Sequence, residues 1–373
     1  MKQRAWDNPW RLMLVVNVVA MLGVLWHKLG LPPYAPYVHL LVDYQFGFIK
    51  RGLIGAAVAL FTDKVPVWLV FALAGATWLV TLGLFIELFR RTFGFDEREL
   101  PLFVFTAGSP FFFKNFMFTL GHFDIFGCLF AICLLLVPAR SALFVVLAAL
   151  CAVTLLLIHH IHALMYVPTI AVIVVLRHYL VAGFKWQNSA IGLVAISLLA
   201  GLFVVTQFWG TVPLSEAEFI AHLRTRMVDP SRSDLLIFSY IWYQPLSKEI
   251  ADTWQRLPSN LLGMPIFALL LWLHLPLWRY LTRAIGTLRE HWHRRVVIAG
   301  LVGISLGYLV MFAIVFDYSR WVSNWAVCMM LMLHAIKALP AEREIAPIPS
   351  GGTTRRFGLV VTLIPRVGIV RPF

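Results

Sequence analysis

Charge is what this sequence has least of. Only 13% of its 373 residues are Asp, Glu, Lys or Arg, too few to coat a soluble surface. Acids are scarcer than bases, 18 against 31, which leaves a formal net charge of +13. That excess does not point to nucleic acid, because the cations cluster in short segments between apolar runs, as membrane topology demands. Cysteine is rare as well. Cys128, Cys133, Cys151 and Cys328 all fall inside apolar runs, without ligand-like spacing on a polar loop, so they read as small buried hydrophobes. No internal repeat suggests the inverted symmetry of many transporters. The first apolar run has no small-residue cleavage site after it and reads as a retained helix. What remains is hydrocarbon: 60% apolar residues and a mean hydropathy of +0.82. The chain is expected to be all-α, a polytopic transmembrane helical bundle.

Read in order, the pattern predicts about ten spans with both termini cytoplasmic. Lys2, Arg4 and Arg11 precede a run from Leu12 to Leu29 and hold that end inside. Residues 31–64 are then an external juxtamembrane segment, in which Leu53 to Phe61 is too short to span and reads as an interfacial half-helix. Val65 to Phe89 returns to Arg90 and Arg91 inside. Leu100 to Phe113, broken at Gly108-Ser109-Pro110, goes out to a turn at Lys114. The next runs alternate: Phe123–Val137, Leu143–Ile158, Ala163–Leu176 (which ends near Arg177 and Lys185) and Ala190–Phe208. Residues 209–257 form one sizeable hydrophilic loop whose near-balance of charge suits a folded external cap. Leu261–Trp278, Val296–Phe316 and Val322–Ile336 complete the transmembrane domain, 1–337, and 338–373 is expected to be a cytoplasmic tail. The location expected is a bacterial inner membrane, with membrane lipids as neighbours and no nucleic-acid partner.

The chain is organised around VHLLVDYQFGFIKRGLIG, residues 38–55, which crowds Asp43, Tyr44, Lys50 and Arg51 next to hydrocarbon. A helix starting near Val38 would put Asp43 and Lys50 two turns apart on one face. Such charges are costly to desolvate unless they pair or meet a polar ligand, so the segment is either a structural ion pair or part of a site. Three further polar sites fall at the outer ends of other spans: Gly121-His122-Phe123-Asp124, the histidines 159, 160 and 162, and Asp317-Tyr318-Ser319-Arg320. Asp124 could cap its helix. His159 and His162 share a face at i, i+3 and invite a divalent metal, although interfacial histidines bonding headgroups or backbone are the readier reading, and further ligands would have to come from His39, His122 or a loop carboxylate. Arg320 is either an interfacial anchor beside Trp321 or a planar fork for phosphate. Lys50, Arg51, Lys114 and Arg320 all stand against the positive-inside trend. Four such sites at one depth suggest one outward-facing cavity.

Asp43 in the first external loop, together with SPFFFKNFMFTLGHFDIFGCLFAI and its Gly121, His122 and Asp124, resembles the GT-C glycosyltransferases over roughly residues 10–180. The resemblance implies a GT-C-like fold and a polyprenyl-phosphate-linked sugar as donor. It further implies a glycan or lipid-linked acceptor, a carboxylate base (Asp43, with Asp124 the next choice) and inversion at the anomeric carbon. Lys50, Arg51, Lys114, His122, His159, His162, Arg320 and Tyr44 are the expected substrate contacts, since a lipid phosphate leaving group needs cations and a sugar ring favours aromatic faces. A polymerase or ligase of lipid-linked oligosaccharides is the rival within enzymes. A proton-coupled transporter or flippase, with Asp43, Asp124 and Asp317 in a relay, is the rival outside them.

Overall fold

The structure is a computed structural model that describes residues 8–183 and 186–367, so Lys2, Arg4 and Lys185 lie outside the described residues. Those described form an all-helical bundle, with only two isolated β-bridges and no strand. Five helices are long and apolar enough to cross a membrane, or six if one bent pair counts as a single span.

Helix α1 (Pro9–Leu29) starts where the Asn8 side chain accepts the Trp10 N–H and Pro9 supplies a ready-made first turn. Helix α2 (Tyr34–Leu41) stops at Val42, whose backbone is extended. Asp43 therefore lies beyond the helix, and the expected shared face with Lys50 does not exist. Residues 43–52 form an irregular loop that turns at Gly47 (φ +98°) and leads into the short α3 (Leu53–Ala59), the half-helix expected. Helix α4 (Trp68–Thr92) is long and apolar enough for a full span and ends with Arg90 and Arg91 both bonded to Glu87.

The next elements are short because they are broken. Helix α5 (Leu100–Thr106) gives way at Gly108-Ser109-Pro110 to α6 (Phe113–Phe118). Then come α7 (Asp124–Leu136), α8 (Ala142–Ile158), α9 (His162–Met165) and α10 (Val167–Val174). A π-turn over Val175–Tyr179 links α10 to α11 (Leu180–Ala182), and α12 (Trp186–Trp209) follows. The segment expected as a cap is folded. It holds α13 (Glu216–Thr225), opened by a reciprocal Ser215–Glu218 capping box, two short 3-10 turns, and α14 (Leu246–Leu261). Helix α14 bends by 63° into α15 (Met264–Leu273). A second break, at His274, leads to α16 (Leu275–Gly286). The two breaks face each other: Ser109 Oγ lies 2.8 Å from His274 Nε2, and His274 Nδ1 lies 2.7 Å from the Leu270 carbonyl. Irregular backbone inside an apolar bundle needs this kind of satisfaction.

Helix α17 (His291–Ile314) packs beside α18 (Tyr318–Lys337), the axis of the main core, which is buried along nearly its whole length. Helix α12 is the opposite, with 6% of its best apolar window buried. A second, smaller core joins α2 and α3 to α13 and Trp242. It is stitched by Tyr37 Oη to the Val65 carbonyl (2.7 Å) and Lys50 N–H to the Gly210 carbonyl (2.7 Å).

The tail departs from expectation. Helix α19 (Gly352–Leu363) docks on α1, α5 and α15 as part of the bundle. Gly358 permits this, because a Cβ there would stand 2.6 Å from the Trp10 ring. Lys114 Nζ donates to the carbonyls of Val361 and Thr362, both at 2.9 Å, and so satisfies the C-terminal end of α19. Lys114 is fully buried. Its ammonium is a cap for that helix, not a substrate contact at an open turn.

Candidate functional site

The loop 42–52, the start of α7, the α8–α9 junction, the start of α14 and the start of α18 converge at one end of the bundle. Asp124 lies in the first turn of α7, but its carboxylate is held mainly by a forked pair with Arg320 from α18: Nε to Oδ2 at 2.9 Å and Nη2 to Oδ1 at 2.7 Å. Arg320 Nη1 also reaches Asp317 Oδ2 at 3.3 Å. Asn324 Nδ2 donates to Asp124 Oδ2 (3.3 Å), and Tyr166 Oη donates to Asn324 Oδ1 (2.8 Å). With Asp124 only 1% exposed, this network is a satisfied buried ion pair.

Histidines gather beside it. His39 on α2 packs between Phe123 (4.4 Å) and Trp242 (4.8 Å), with His159 at 6.3 Å. His159 contacts both His160 and His162, and a His162 ring nitrogen lies 3.3 Å from the Phe123 carbonyl. Burial first, and then the charge of Arg51, hold His39, His159 and His160 well below the usual imidazole range. They are neutral at pH 7. Among the described residues, no group of three His, Cys, Asp or Glu side chains closes on a point that could hold a metal.

Arg51 is the residue these groups have in common. Its backbone is left-handed (φ +62°), a conformation that costs a non-glycine residue about 1–3 kcal/mol and persists only where its surroundings impose it. Its Nε is sealed from solvent without a hydrogen-bond partner, as are Nδ1 of His39, His160 and His162. Burial lowers its pKa to about 10, so the guanidinium stays charged at neutral pH. The strongest field that opposes this lowering comes from Glu249. Glu249 itself is bonded by Lys50 Nζ at 3.2 Å, and that ammonium also donates to the Gln244 carbonyl at 3.0 Å. Lys50 and Glu249 are thus a pair, while Arg51 makes no ion pair within 4 Å among the described residues. A sealed, charged guanidinium nitrogen without a partner is the converse of a finished core.

Comparison with known proteins adds no name. No family model matches the chain, and neither a curated protein nor a solved structure does.

The residues expected to act together separate into two groups. Arg51, His122, His159, His162, Arg320 and Asp124 lie in one electrostatically connected cluster, with Lys50 at its edge through Glu249. Asp43 does not join them. Its Oδ2 pairs with Arg226 Nη1 at 2.9 Å, its Oδ1 accepts the Gln45 N–H, and Arg226 Nη1 also donates to the Leu41 carbonyl at 2.6 Å. Asp43 therefore pins the end of α2 to the end of α13, the structural ion pair weighed from sequence, with Arg226 as partner in place of Lys50 or Arg51. Tyr44 stacks on Phe48 (6.2 Å) in the same loop, and its ring lies against Gly52, where a Cβ would meet it at 2.6 Å. Nothing in the sequence singles out Arg226 or Asn324, and Glu249 is one acid among several in the hydrophilic loop 209–257. The one legible signal was that a buried-loop cation needs an acid, which leaves the choice of acid open.

Proposed function

We propose that this chain is a polytopic enzyme of the bacterial inner membrane, GT-C-like, with about ten spans and both termini cytoplasmic. It transfers a sugar from a polyprenyl-phosphate-linked donor to a glycan or lipid-linked acceptor at the external face. The observation that carries the reading is Arg51, a charged residue on a left-handed backbone whose sealed Nε has no hydrogen-bond partner and which makes no ion pair within 4 Å among the described residues. A phosphate fills that role: it accepts from the guanidinium and from imidazole N–H groups, and it brings the missing negative charge.

In this reading Arg51 and the histidines stabilise the phosphate as it becomes the leaving group. The acceptor hydroxyl oxygen bonds to the anomeric carbon, the bond from that carbon to the phosphate oxygen breaks, and the lipid phosphate departs with the electron pair. The hydroxyl proton passes to a carboxylate, and a single displacement inverts the anomeric centre. Glu249 is the carboxylate that fits. It is the acid acting most strongly on Arg51, and it is held by one ammonium, where Asp124 is held in a guanidinium fork and Asp43 is tied to Arg226. The test is sugar transfer by the chain in lipid nanodiscs, with polyprenyl-phosphate-linked sugars as donors and Arg51→Ala as control. Turnover that disappears with Arg51→Ala supports the proposal. Wild-type protein that neither transfers sugar nor binds a prenyl phosphodiester overturns it.

A further inference from the structure

Helix α14 is built inside out. The two side chains it buries are polar, Thr253 at 2% exposure and Asn260 at 5%, while Trp254 is 59% exposed and Leu261 53%. Helices α13 and α16, before and after it in the chain, are built the ordinary way. Helix α13 buries Phe219 and Leu223 and exposes Glu216 and Arg224. Helix α16 buries Leu277, Tyr280 and Leu281 and exposes Arg279. Both suit water on the outside; α14 does not.

Successive helical residues turn by about 100°, which divides α14 into three faces. Glu249, Thr253, Arg256 and Asn260 share the first, and it is fixed to the protein. Thr253 Oγ1 lies 3.1 Å from the Ile314 carbonyl, Asn260 Nδ2 donates to the Phe316 carbonyl at 2.8 Å, and the Arg256 guanidinium lies 4.3 Å from the centre of the Phe316 ring. Glu249 completes this face by holding Lys50 at 3.2 Å. Ile250, Trp254, Leu257 and Leu261 share the second face, which is apolar and half uncovered. Lys248, Gln255 and Ser259 share the third, all exposed. A helix that lies in a bilayer surface needs this division: protein beside it, hydrocarbon beneath it and water above. The apolar exposure also runs on past the helix. Leu262 is exposed at the bend, and Ile266, Leu269 and Trp272 are exposed on α15, whose sequence MPIFALLLWL is apolar throughout.

We infer that α14 lies on the bilayer, with Trp254 and Leu261 inserted at the hydrocarbon boundary and Lys248, Gln255 and Ser259 in water. The partner of its apolar face is the upper acyl-chain region of bilayer lipid. The 63° bend between α14 and α15 is then the place where the chain turns from the membrane surface into the membrane. Residues 246–261 thus leave the aqueous cap, while α13 stays in it. The inference needs no reaction and goes beyond the glycosyl-transfer reading, to which it gives a depth. Glu249 is held within about 10–12 Å of the lipid-facing side chains, one helix diameter, so a membrane-borne group reaches it without leaving the headgroup layer.

The experiment reads depth directly, with bimane on single cysteines of the full chain in phosphatidylcholine nanodiscs. Cys128, Cys133, Cys151 and Cys328 are first replaced by alanine. Bimane at Trp254→Cys and Leu261→Cys should be quenched by lipid brominated high on its acyl chains and shielded from aqueous iodide. At Gln255→Cys and Ser259→Cys the order should reverse. Iodide quenching as strong at 254 and 261 as at 255 and 259 returns α14 to the water and overturns the inference. Bromine quenching of all four alike also overturns it, because α14 is then immersed as part of a span. The unmodified chain gives a second measurement that no substitution can spoil. A phosphatidylcholine with a diazirine near the top of its acyl chain should label peptides spanning residues 250–262 and spare α13. Absence of label from 250–262, or equal label on α13, overturns the inference as well. Neither readout measures sugar transfer: an inserted α14 in an inactive protein counts against the transfer reading alone, and a solvated α14 in an active one counts against this inference alone.

Discussion

Asp43 and Arg51 sit on one loop, both charged and both half-sealed by the same small core, and they end in opposite conditions. Asp43 is finished. Arg226 pairs with one carboxylate oxygen, a backbone N–H with the other, and the same guanidinium caps the end of α2. Arg51 is unfinished, with a left-handed backbone, a sealed nitrogen without partner and buried imidazoles held neutral around it. The difference teaches how to separate a charge that holds a fold from one that waits for a ligand. Burial raises the cost of both, and ion pairing tells them apart: Asp43 has a guanidinium at 2.9 Å, although Arg226 Nη2 is itself sealed without a partner, while Arg51 has no carboxylate within 4 Å among the described residues. Lys114 belongs with Asp43, since its ammonium meets two carbonyls at the end of α19.

The comparison breaks first on catalysis. If the Arg51 cluster is the working side, Glu249→Gln removes the base and lowers kcat about 100- to 10,000-fold, and the steady-state rate of sugar transfer measures it. Asp43→Asn, matched in shape, should stay within a few-fold of wild type. Inactive Asp43→Asn protein with an unchanged melting profile would reverse the assignment.

Arg51 comes next. Arg51→Ala should cost about 100- to 1,000-fold in kcat/KM, comparable to loss of one preorganised donor to a developing anion. Arg51→Lys keeps the charge but loses the planar fork, and should recover only part of the loss. Full recovery by Lys would mean that charge alone is read.

On the other side of the comparison the effect is stability. Asp43→Ala leaves Arg226 buried without its carboxylate, and the two side chains are only 13% and 7% exposed, so about 3 kcal/mol is expected. Thermal melts in detergent would show it, with prenyl phosphodiester affinity retained. Lys114→Met should behave alike and free α19 from the bundle, detected by proteolysis of the tail.

Much of this is legible in the sequence, and the reasons are physical. Hydropathy marks the membrane class and the long helices α1, α4, α12 and α17, because an unbroken apolar run of that length has few other fates. It overstates continuity where the backbone breaks, since Ser109 and His274 satisfy each other across 165 residues of sequence. The polar clusters were visible one by one, and Arg51, Asp124, Arg320 and the histidines do converge. Pairing was not visible. Asp43 has nearer cations in sequence than Arg226, and the geometry that selects among them is set by α13. Nothing in the tail sequence announces that α19 will insert, because Lys114 recognises its carbonyls and not its side chains.

The smallest effect is the most specific to the Arg51–histidine cluster: the pH dependence of anion binding. Burial holds His39, His159 and His160 below the ordinary imidazole value near 6.5 in the free protein, with Arg51 adding to the depression. A bound anion opposes that field and raises their pKa, so the complex holds more protons than the free protein. Linkage then fixes the sign: affinity for the anion rises as pH falls toward and below 6.5, by at most about tenfold per pH unit for each proton taken up. Stability of the unliganded fold runs the other way. Its folded histidines bind protons less readily than unfolded ones, so the full stability is present above about pH 6.5 and declines as pH drops. A prenyl phosphodiester is the right probe, since its single charge does not titrate in this range, and binding between pH 8 and pH 6 can be read by calorimetry. His39→Gln should flatten the slope and leave affinity at pH 8 nearly unchanged. Affinity that is level or falls on acidification would show that the imidazoles do not face the anion, and Arg51 would have to hold it alone.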